Sequence, residues 1–511
     1  MDWTAGYVTE LEYTYGYYRE LCPALLRLAC LSAGVAPSAG KPFSYLELGY
    51  GQGLSLNVHA AANEGVFWGT DFNPVQTAHA MAFAEASGGS VKALNDSFAE
   101  LAARNDLPEF DVIALHGIWT WISEENSRHI VDIMRRKLRV GGLVYISYNC
   151  FPGWAPAAPL RHLMKLHADV AGAEASGMGA KVDAALAFAR QVVDSGALYF
   201  RGNPAVGERL KKMSEQNRNY LAHEYFNKDW RIASFSEMAE TLEAAKLSFV
   251  GSAHLLDHVD AVNLSPDGQK LLNSVEHPIL RQSVRDYFVN QQFRRDIFMK
   301  GPRSLPPAER AQLLLGESFV LTSLASDVPR KVTGSLGEAT LQNQVYDPLI
   351  DVLAEEKQRP KLLSELVRHP RLRSLPFAQL VQALVVLAGA GHVSLAQSAS
   401  KATKAHCKSL NRYLCERSRS SSEVAYLASP VTGGGVAVPR FEQVFLLLGS
   451  PEKRSAQEHA KFAWDILKNQ GQRMLKGGRP LETEDENLAQ LTSLAETFLL
   501  RLPVLQTLEI A

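Results

Sequence analysis

Three observations predict an α/β protein built on a doubly wound parallel sheet. An apolar strand, Tyr45-Leu46-Glu47-Leu48, runs into a loop with glycine at every second position, Gly49-Tyr50-Gly51-Gln52-Gly53. A second apolar strand ends in Asp71, 24 positions after Glu47. From residue 42 to 150, strand-length apolar runs alternate with helix-length segments, as in a sheet covered by helices on both faces. The first strand is expected over Phe43 to Leu48 and the helix after the loop from near Leu54. Glycines there let the backbone bend sharply and approach a ligand with no Cβ in the way. A dinucleotide fingerprint, G-x-G-x-x-G, would need its third glycine at 54, where Leu54 stands. The ligand of this Rossmann-like sheet is therefore of another kind.

The remaining elements follow in order. Val66 to Thr70 reads as the second strand. Asp71 at its end is placed to accept hydrogen bonds from both hydroxyls of a ribose, with Phe72 beside it in the same group. The alternative for Asp71 is a helix cap, because Asn73-Pro74 can start the next helix. Val91 to Phe98 has the same build, and Asp96-Ser97 can reach an adenine amino group or cap the following helix. The fourth strand, Phe110 to Leu115, leads into His116-Gly117-Ile118-Trp119-Thr120-Trp121. Strand ends mark the crevice where open α/β sheets bind ligands, so His116, Trp119 and Trp121 are expected to face it. A helix over Glu124 to Leu138 ends in Arg135-Arg136-Lys137, which complements its C-terminal dipole. Val140-Gly141-Gly142 turns into a fifth strand, Leu143 to Asn149.

Glycine loop, ribose acid, adenine acid, Phe110-Asp111 strand and Gly141-Gly142 turn occur here in the order shown by class I S-adenosylmethionine (SAM) methyltransferases. Residues 42 to 150 resemble that superfamily closely, with Glu47, Gly49, Gly51 and Gly53 matching its first motif. Other stretches resemble one branch of it: Tyr13-Thr14-Tyr15-Gly16-Tyr17-Tyr18, His116 to Ile122, Tyr148-Asn149 followed by Pro152-Gly153-Trp154, His223-Glu224-Tyr225-Phe226, and Phe293 to Phe298. That branch comprises bacterial methyltransferases with a methyltransferase regulatory domain, here about residues 219 to 301. It includes protein lysine methyltransferases that modify outer-membrane proteins. The resemblance implies SAM as cofactor, held by Glu47, Gly49, Gly51, Gly53, Asp71, Phe72, Asp96, Ser97 and His116.

Five regions are expected along the whole chain. They are a SAM-binding core with an N-terminal helical segment over 1–150, and a helical insertion over 151–234 serving as lid or dimer contact. The end of the core sheet with the regulatory region occupies 235–305. A winged-helix-like domain over 306–400 and a C-terminal helical domain over 401–511 complete the chain. The insertion includes a Gly/Ala-rich stretch from Ala171 to Ala180. Phe235 to Ala245 reads as a helix, Leu247 to His254 as a sixth strand and Arg295 to Met299 as a seventh. In the C-terminal third, Phe319–Leu324 and Lys331–Leu341 are expected to pair as strands. Helices follow near Tyr346–Ala354, Lys361–Arg368 and Phe377–Ala388. The third of these carries no Lys or Arg, and phosphate contacts need cations, so no nucleic-acid role is expected. The basic positions between Lys401 and Arg419 read as a solvated helix face, with a docking patch for an acidic partner as the alternative. Glu482 to Glu486 reads as the N-terminus of a last helix.

Methyl transfer from a sulfonium is an in-line displacement in which positioning and desolvation do most of the work. It needs no metal and no enzyme nucleophile. A lysine acceptor must arrive neutral although its free pKa is about 10.4. An aromatic channel would lower that value by desolvation and hold the cationic product through cation–π contacts. The candidates for the reacting end are His116, Trp119, Trp121, Tyr148 and Asn149. Tyr15, Tyr17, Tyr18, Tyr145 and Trp154, with Tyr13, are the candidates for acceptor binding. Core packing is the competing role for each aromatic, and His116 is open between base, cofactor contact and structural histidine. The acceptor is expected to be protein lysine. A small molecule or sugar, and a non-catalytic SAM-binding regulatory module, are the alternatives.

The bulk properties act by exclusion. The 511 residues are 46% hydrophobic and 21% charged, with a net charge of −1, so no global charge draws the chain to nucleic acid or an anionic membrane. Five cysteines (22, 30, 150, 407 and 415) form no C-x-x-C pair, which predicts a reducing compartment without disulfides or structural zinc. The start, Met1 to Thr4, lacks a basic and an apolar region, so no signal peptide is expected. No run of about 18 apolar residues is read, so no spanning helix is expected either. The expected location is the cytoplasm, with a homodimer as a possible assembly.

Overall fold

The computed structural model describes residues 6–8, 15–38, 40–171 and 177–511. Tyr13 and residues 172–176 of the Gly/Ala-rich stretch lie outside them. Seven strands form one sheet in the order β3-β2-β1-β4-β5-β7-β6. They are β1 (Ser44–Leu48), β2 (Val66–Thr70), β3 (Val91–Leu94), β4 (Phe110–Leu115), β5 (Leu138–Asn149), β6 (Leu247–Ser252) and β7 (Phe293–Lys300). The first five are parallel, and β7 runs antiparallel between β5 and β6. Every residue of β1 and β4 is buried, the state of parallel strands covered on both faces. Strand order reverses at β1, between β2 and β4, and the crevice opens at the carboxyl ends of these strands. The expected strands and the Rossmann-like class are all present, and β5 starts earlier than expected because it includes the Gly141-Gly142 bend.

Six of the helices are α1 (Pro23–Ser32), α2 (Leu54–Ala62), α3 (Pro74–Ser87), α4 (Phe98–Ala103), α5 (Glu124–Lys137) and α6 (Ala158–Val170). Each of α3, α4 and α5 starts on a polar cap. The Asn73 side chain accepts from the Val75 amide, Ser97 forms a capping box with Glu100, and Ser123 accepts from the Asn126 amide. Such caps satisfy amides that the helix itself leaves unpaired. At the far end of α5, Arg136 and Lys137 donate to the Ala102 and Leu107 carbonyls.

The insertion leaves β5 at Asn149 and returns to it, where the Ala233 amide donates to the Asn149 carbonyl at 3.1 Å. Between those points come α6, then α7 (Met178–Asp194), α8 (Leu198–Gly202), α9 (Pro204–Met213) and α10 (Arg218–Tyr225). They enclose an apolar cluster of their own, including Leu160, Met164, Leu186, Leu210 and Leu221. Both ends of the insertion are thus pinned beside the crevice.

The antiparallel edge depends on one buried charge. Arg294 on β7 pairs with Asp296 at 2.8 Å and Asp286 at 2.5 Å, and its guanidinium lies 4.4 Å from the centre of the Phe235 ring. Tyr148 donates to Asp296 at 2.7 Å. All four polar residues are almost fully buried, and removing one member of such a group leaves unpaired buried charge.

In the C-terminal third, one expectation fails. The strand Ser318–Leu321 pairs with Lys361–Leu362 and Val393–Ala396 in a three-stranded sheet, and not with the segment after Lys331. Lys331–Gly334 instead forms a hairpin with Gly337–Thr340. A two-residue turn closes that hairpin with little loop entropy, so local pairing wins. Helices Asn343–Gln358, Leu363–Arg368 and Phe377–Ala390 complete the winged-helix-like unit.

The helix Lys401–Ser418 then lies across α2 and α3. Its Cys407, Leu410 and Leu414 share an apolar cluster with Leu54, Val58, Ala61 and Phe83. Lys401, Lys408 and Arg412 are exposed, but Arg417 stacks over the Tyr15 ring at 4.9 Å. The last helix, Glu484–Thr507, is capped by Thr483 with Glu486. By length and composition it passes as long and apolar enough to cross a membrane, although Gln490, Ser493, Glu496 and Arg501 interrupt its apolar positions. Leu491, Ala495, Phe498 and Leu502 on one face are buried in the same apolar cluster.

Replacing Arg294 by Met should destabilise the protein by about 3–5 kcal/mol, read from denaturant unfolding. A loss below about 1 kcal/mol would show that the two carboxyls do not depend on it.

Candidate functional site

A cavity of about 330 Å³ opens at the carboxyl ends of β1 to β4, within the usual range for small-molecule sites, about 300–1,000 Å³. Glu47, Gly49 and Gly51 from the β1 end line it, with Asp71 and Phe72 from β2, Asp96 and Ser97 from β3, and His116 from β4. Gly49, Gly51 and Gly53 all have positive φ, which explains glycine at every second position. At Gly49 a Cβ would come 2.3 Å from Ile118 Cδ1. Gly53 does not line the cavity. It starts α2, and a Cβ there would lie 2.4 Å from Ala80 Cβ on α3.

Asp71 is the hub of the loop. Its carboxylate accepts the Gly51 amide at 3.0 Å and the Asn73 amide at 3.0 Å. With its nitrogen turned inward, the Gln76 amide donates to both Asp71 oxygens at 2.9 Å. Asn73, and not Asp71, caps α3. Ser97 does cap α4, and Asp96 pairs with Arg104 at 2.9 Å, so these two residues line the cavity while serving the helix.

Glu47 and Asp71 are both buried, and among the described residues neither has an ion pair with a cation. Burial lifts Glu47 to about 8, with the Tyr45 hydroxyl pulling the other way. Burial likewise raises Asp71 to about 7 against its two backbone amides. A ligand that brings donors and positive charge fits such a pair, because it would repay the cost of ionising them.

The other end of the cavity is aromatic. Tyr7, Tyr18 and Trp121 line it together with His116. The Tyr18 ring stacks on His116 at 3.9 Å. His116 Nδ1 lies 2.7 Å from the Tyr145 hydroxyl, and burial lowers its pKa to about 4, making it a weak base at neutral pH. Behind it, Glu20 lies 3.7 Å from His254 and 3.6 Å from Arg295. Burial alone would raise Glu20, but these two partners hold it at about 2.

Several candidates are placed elsewhere. Trp119 is fully buried in the core, because the short helical turn Trp119–Trp121 sends its first ring inward and its last toward the cavity. Tyr148 points to the opposite face of β5 from Tyr145 and Ser147, as strand alternation requires, and reaches Asp296. Tyr145 stands behind His116 and does not line the cavity. Asn149 also lies outside it, its side chain donating to Glu224 at 3.4 Å. Tyr17 is buried against the C-terminal region, where its hydroxyl accepts the Gly435 amide at 2.6 Å. Tyr15 bonds His79. Trp154 packs in the insertion, its ring 3.9 Å from the Arg209 guanidinium.

Sequence reasoning passed over Tyr7, Gln76 and Glu224. Tyr7 and Glu224 are remote from the glycine loop in sequence, and only the His223-Glu224-Tyr225-Phe226 motif hinted at one of them.

The sheet order, the glycine loop and this cavity define a class I SAM-dependent methyltransferase fold with a regulatory domain. A family model described as a predicted methyltransferase regulatory domain matches residues 217–300. Over 98% of this chain and 100% of the other, the structure is similar to PKMT2 from Rickettsia typhi in complex with AdoHcy, with a TM-score of 0.68 at 15% identity. The chain is 42% identical over 518 residues to the uncharacterized protein sll1526 of Synechocystis sp., covering 100% of both. It belongs to the same family as that protein. The uncharacterized protein RP789 of Rickettsia prowazekii is 24% identical over 264 residues, 49% of this chain and 44% of the relative.

The raised acids give a pH dependence of definite sign. Without ligand the folded chain holds protons on Glu47 and Asp71 that the unfolded chain releases near pH 4. Their contribution to stability is therefore full at low pH and is lost as pH rises through about 7 to 8. SAM, bearing an ammonium and a sulfonium, should bind more tightly as pH rises from about 6 to 8.5 and release protons on binding. Calorimetry in buffers of different ionisation enthalpy reads this directly. Asp71→Ala should weaken SAM by about 1–3 kcal/mol, and unchanged affinity would leave Asp71 only its role in shaping the loop.

Proposed function

We propose that the protein transfers the methyl group of SAM to lysine side chains of proteins. The observation that carries this reading is one cavity with two buried carboxyls at one end, neither in an ion pair among the described residues, and a wall of Tyr7, Tyr18 and Trp121 at the other. SAM supplies an electrophilic methyl group on a sulfonium. Asp71 would take the ribose hydroxyls, Asp96 and Ser97 the adenine edge, and Glu47 the ammonium of the methionine part. The aromatic wall excludes water from the acceptor nitrogen, lowering the pKa of an amine, and its faces attract the methylated cation. Likeness to PKMT2, a bacterial protein-lysine methyltransferase, supports a lysine acceptor.

The test is transfer of labelled methyl from SAM to a panel of unfolded lysine-rich proteins, with the product site located by mass spectrometry. Mono-, di- or trimethyllysine is the expected product. Label that appears only on small molecules, or on no acceptor while SAM still binds, would overturn the lysine reading.

A further inference from the structure

Glu224 is a carboxylate for which the reading so far has no use. It lies in the last turn of α10, where the helix dipole disfavours an anion. Among the described residues no cation lies within ion-pair distance of it. Asn149 is a neutral partner, donating to Oε1 at 3.4 Å. The two arginines within electrostatic reach are held elsewhere. Arg209 lies over Trp154 and donates to the Tyr225 hydroxyl, and Arg161 donates to the Asn227 carbonyl.

The surroundings of Glu224 are those of the aromatic end of the cavity. Trp121, which lines the cavity, donates its indole N–H to the Glu224 carbonyl at 3.3 Å. Tyr7, which also lines it, has its ring 5.4 Å from that of the adjacent His223 and feels the charge of Glu224. Tyr220, one turn earlier on α10, feels the same charge and stands 39% exposed at the surface. Glu224 therefore adjoins two rings that line the cavity and one exposed ring. A compact apolar stem ending in an ammonium matches those neighbours. A neutral or anionic acceptor does not.

Resting on the lysine-methyltransferase reading, we infer that Glu224 is the catalytic residue that receives the acceptor ammonium, orients its nitrogen toward the methyl donor and takes its proton. The proton passes from the ammonium nitrogen to a Glu224 carboxylate oxygen and on to water. The freed lone pair forms the new N–C bond as the C–S bond breaks, its electrons going to the sulfur. Burial raises the Glu224 carboxyl to about 7, with Asn149 and the arginines opposing, which suits a group that must accept a proton near neutral pH.

Glu224→Gln keeps the shape of the side chain, and three readouts separate the cases. The variant should bind SAM within twofold of the wild type and unfold at no lower temperature. Methyl transfer to lysine should fall at least 100-fold. In saturation-transfer NMR at saturating AdoHcy, the ε-methylene of Nα-acetyl-lysine methylamide should receive magnetisation from the wild type and not from the variant, and the norleucine analogue should receive none from either. Undiminished transfer, or lysine amide contact equal to the wild type, with SAM binding intact would overturn the role of Glu224 alone. A wild-type chain that binds no SAM would overturn both this role and the reading it rests on.

Discussion

The hydrogen bond from the Gly51 amide to the Asp71 carboxylate, 3.0 Å long, ties the glycine loop to the end of β2. The rest of the site is arranged around it. The loop needs three residues of positive φ in five, so it has no regular ladder to hold its shape and takes that shape from Asp71, Asn73 and Gln76. The same contact keeps the Asp71 carboxylate facing the cavity beside Glu47. Both acids are buried at the mouth of a parallel sheet, and among the described residues no cation pairs with them. Burial therefore favours their protonated forms in the free protein, and a ligand that brings donors and positive charge offsets the cost of ionising them.

What surrounds the loop is rigid, and the rigidity comes from distant sequence. The helix α2 is buried along its whole length. One side packs on α3, so closely that Gly53 admits no Cβ, and the other on the C-terminal helix Lys401–Ser418. The His59 imidazole within α2 meets the Tyr17 hydroxyl at 3.1 Å, and that hydroxyl also takes the Gly435 amide. The segment before the core thus stitches α2 to the C-terminal region before it turns back to place Tyr18 on His116. The C-terminal third, which lines no part of the cavity, supports the glycine-loop end of it.

The glycine-loop end of the cavity was legible in the sequence because its residues are local. Strand, loop and acid lie within Tyr45 to Asp71, and the parallel sheet fixes where strand ends go. The acceptor end was only partly legible. Tyr148 and Tyr145 are three residues apart and so face opposite sides of β5, and only Tyr145 stands on the side of His116. Trp119 and Trp121 part company for a similar reason, in a single helical turn. Aromatic richness before the core misled the reading, since Tyr15 and Tyr17 serve the contact with the C-terminal region, while Tyr18 and the unforeseen Tyr7 line the cavity. Glu224 became visible when the insertion, anchored at both ends on β5, brought α10 back over the crevice. Charge and hydropathy patterns carry no record of such a return. The mispaired strand at Ser318–Leu321 has the same origin, a partner chosen across a long loop.

The central claim is that the cavity bounded by Glu47, Asp71 and the glycine loop holds SAM with its reactive end toward Tyr18, Trp121 and His116. Determining the crystal structure of the protein in complex with AdoHcy tests it most directly. The account predicts ribose oxygens within hydrogen-bond distance of the Asp71 carboxylate, the amino group near Glu47, and the sulfur facing the aromatic wall. AdoHcy bound in any other part of the molecule, or in this cavity with its sulfur turned away from those rings, would contradict it.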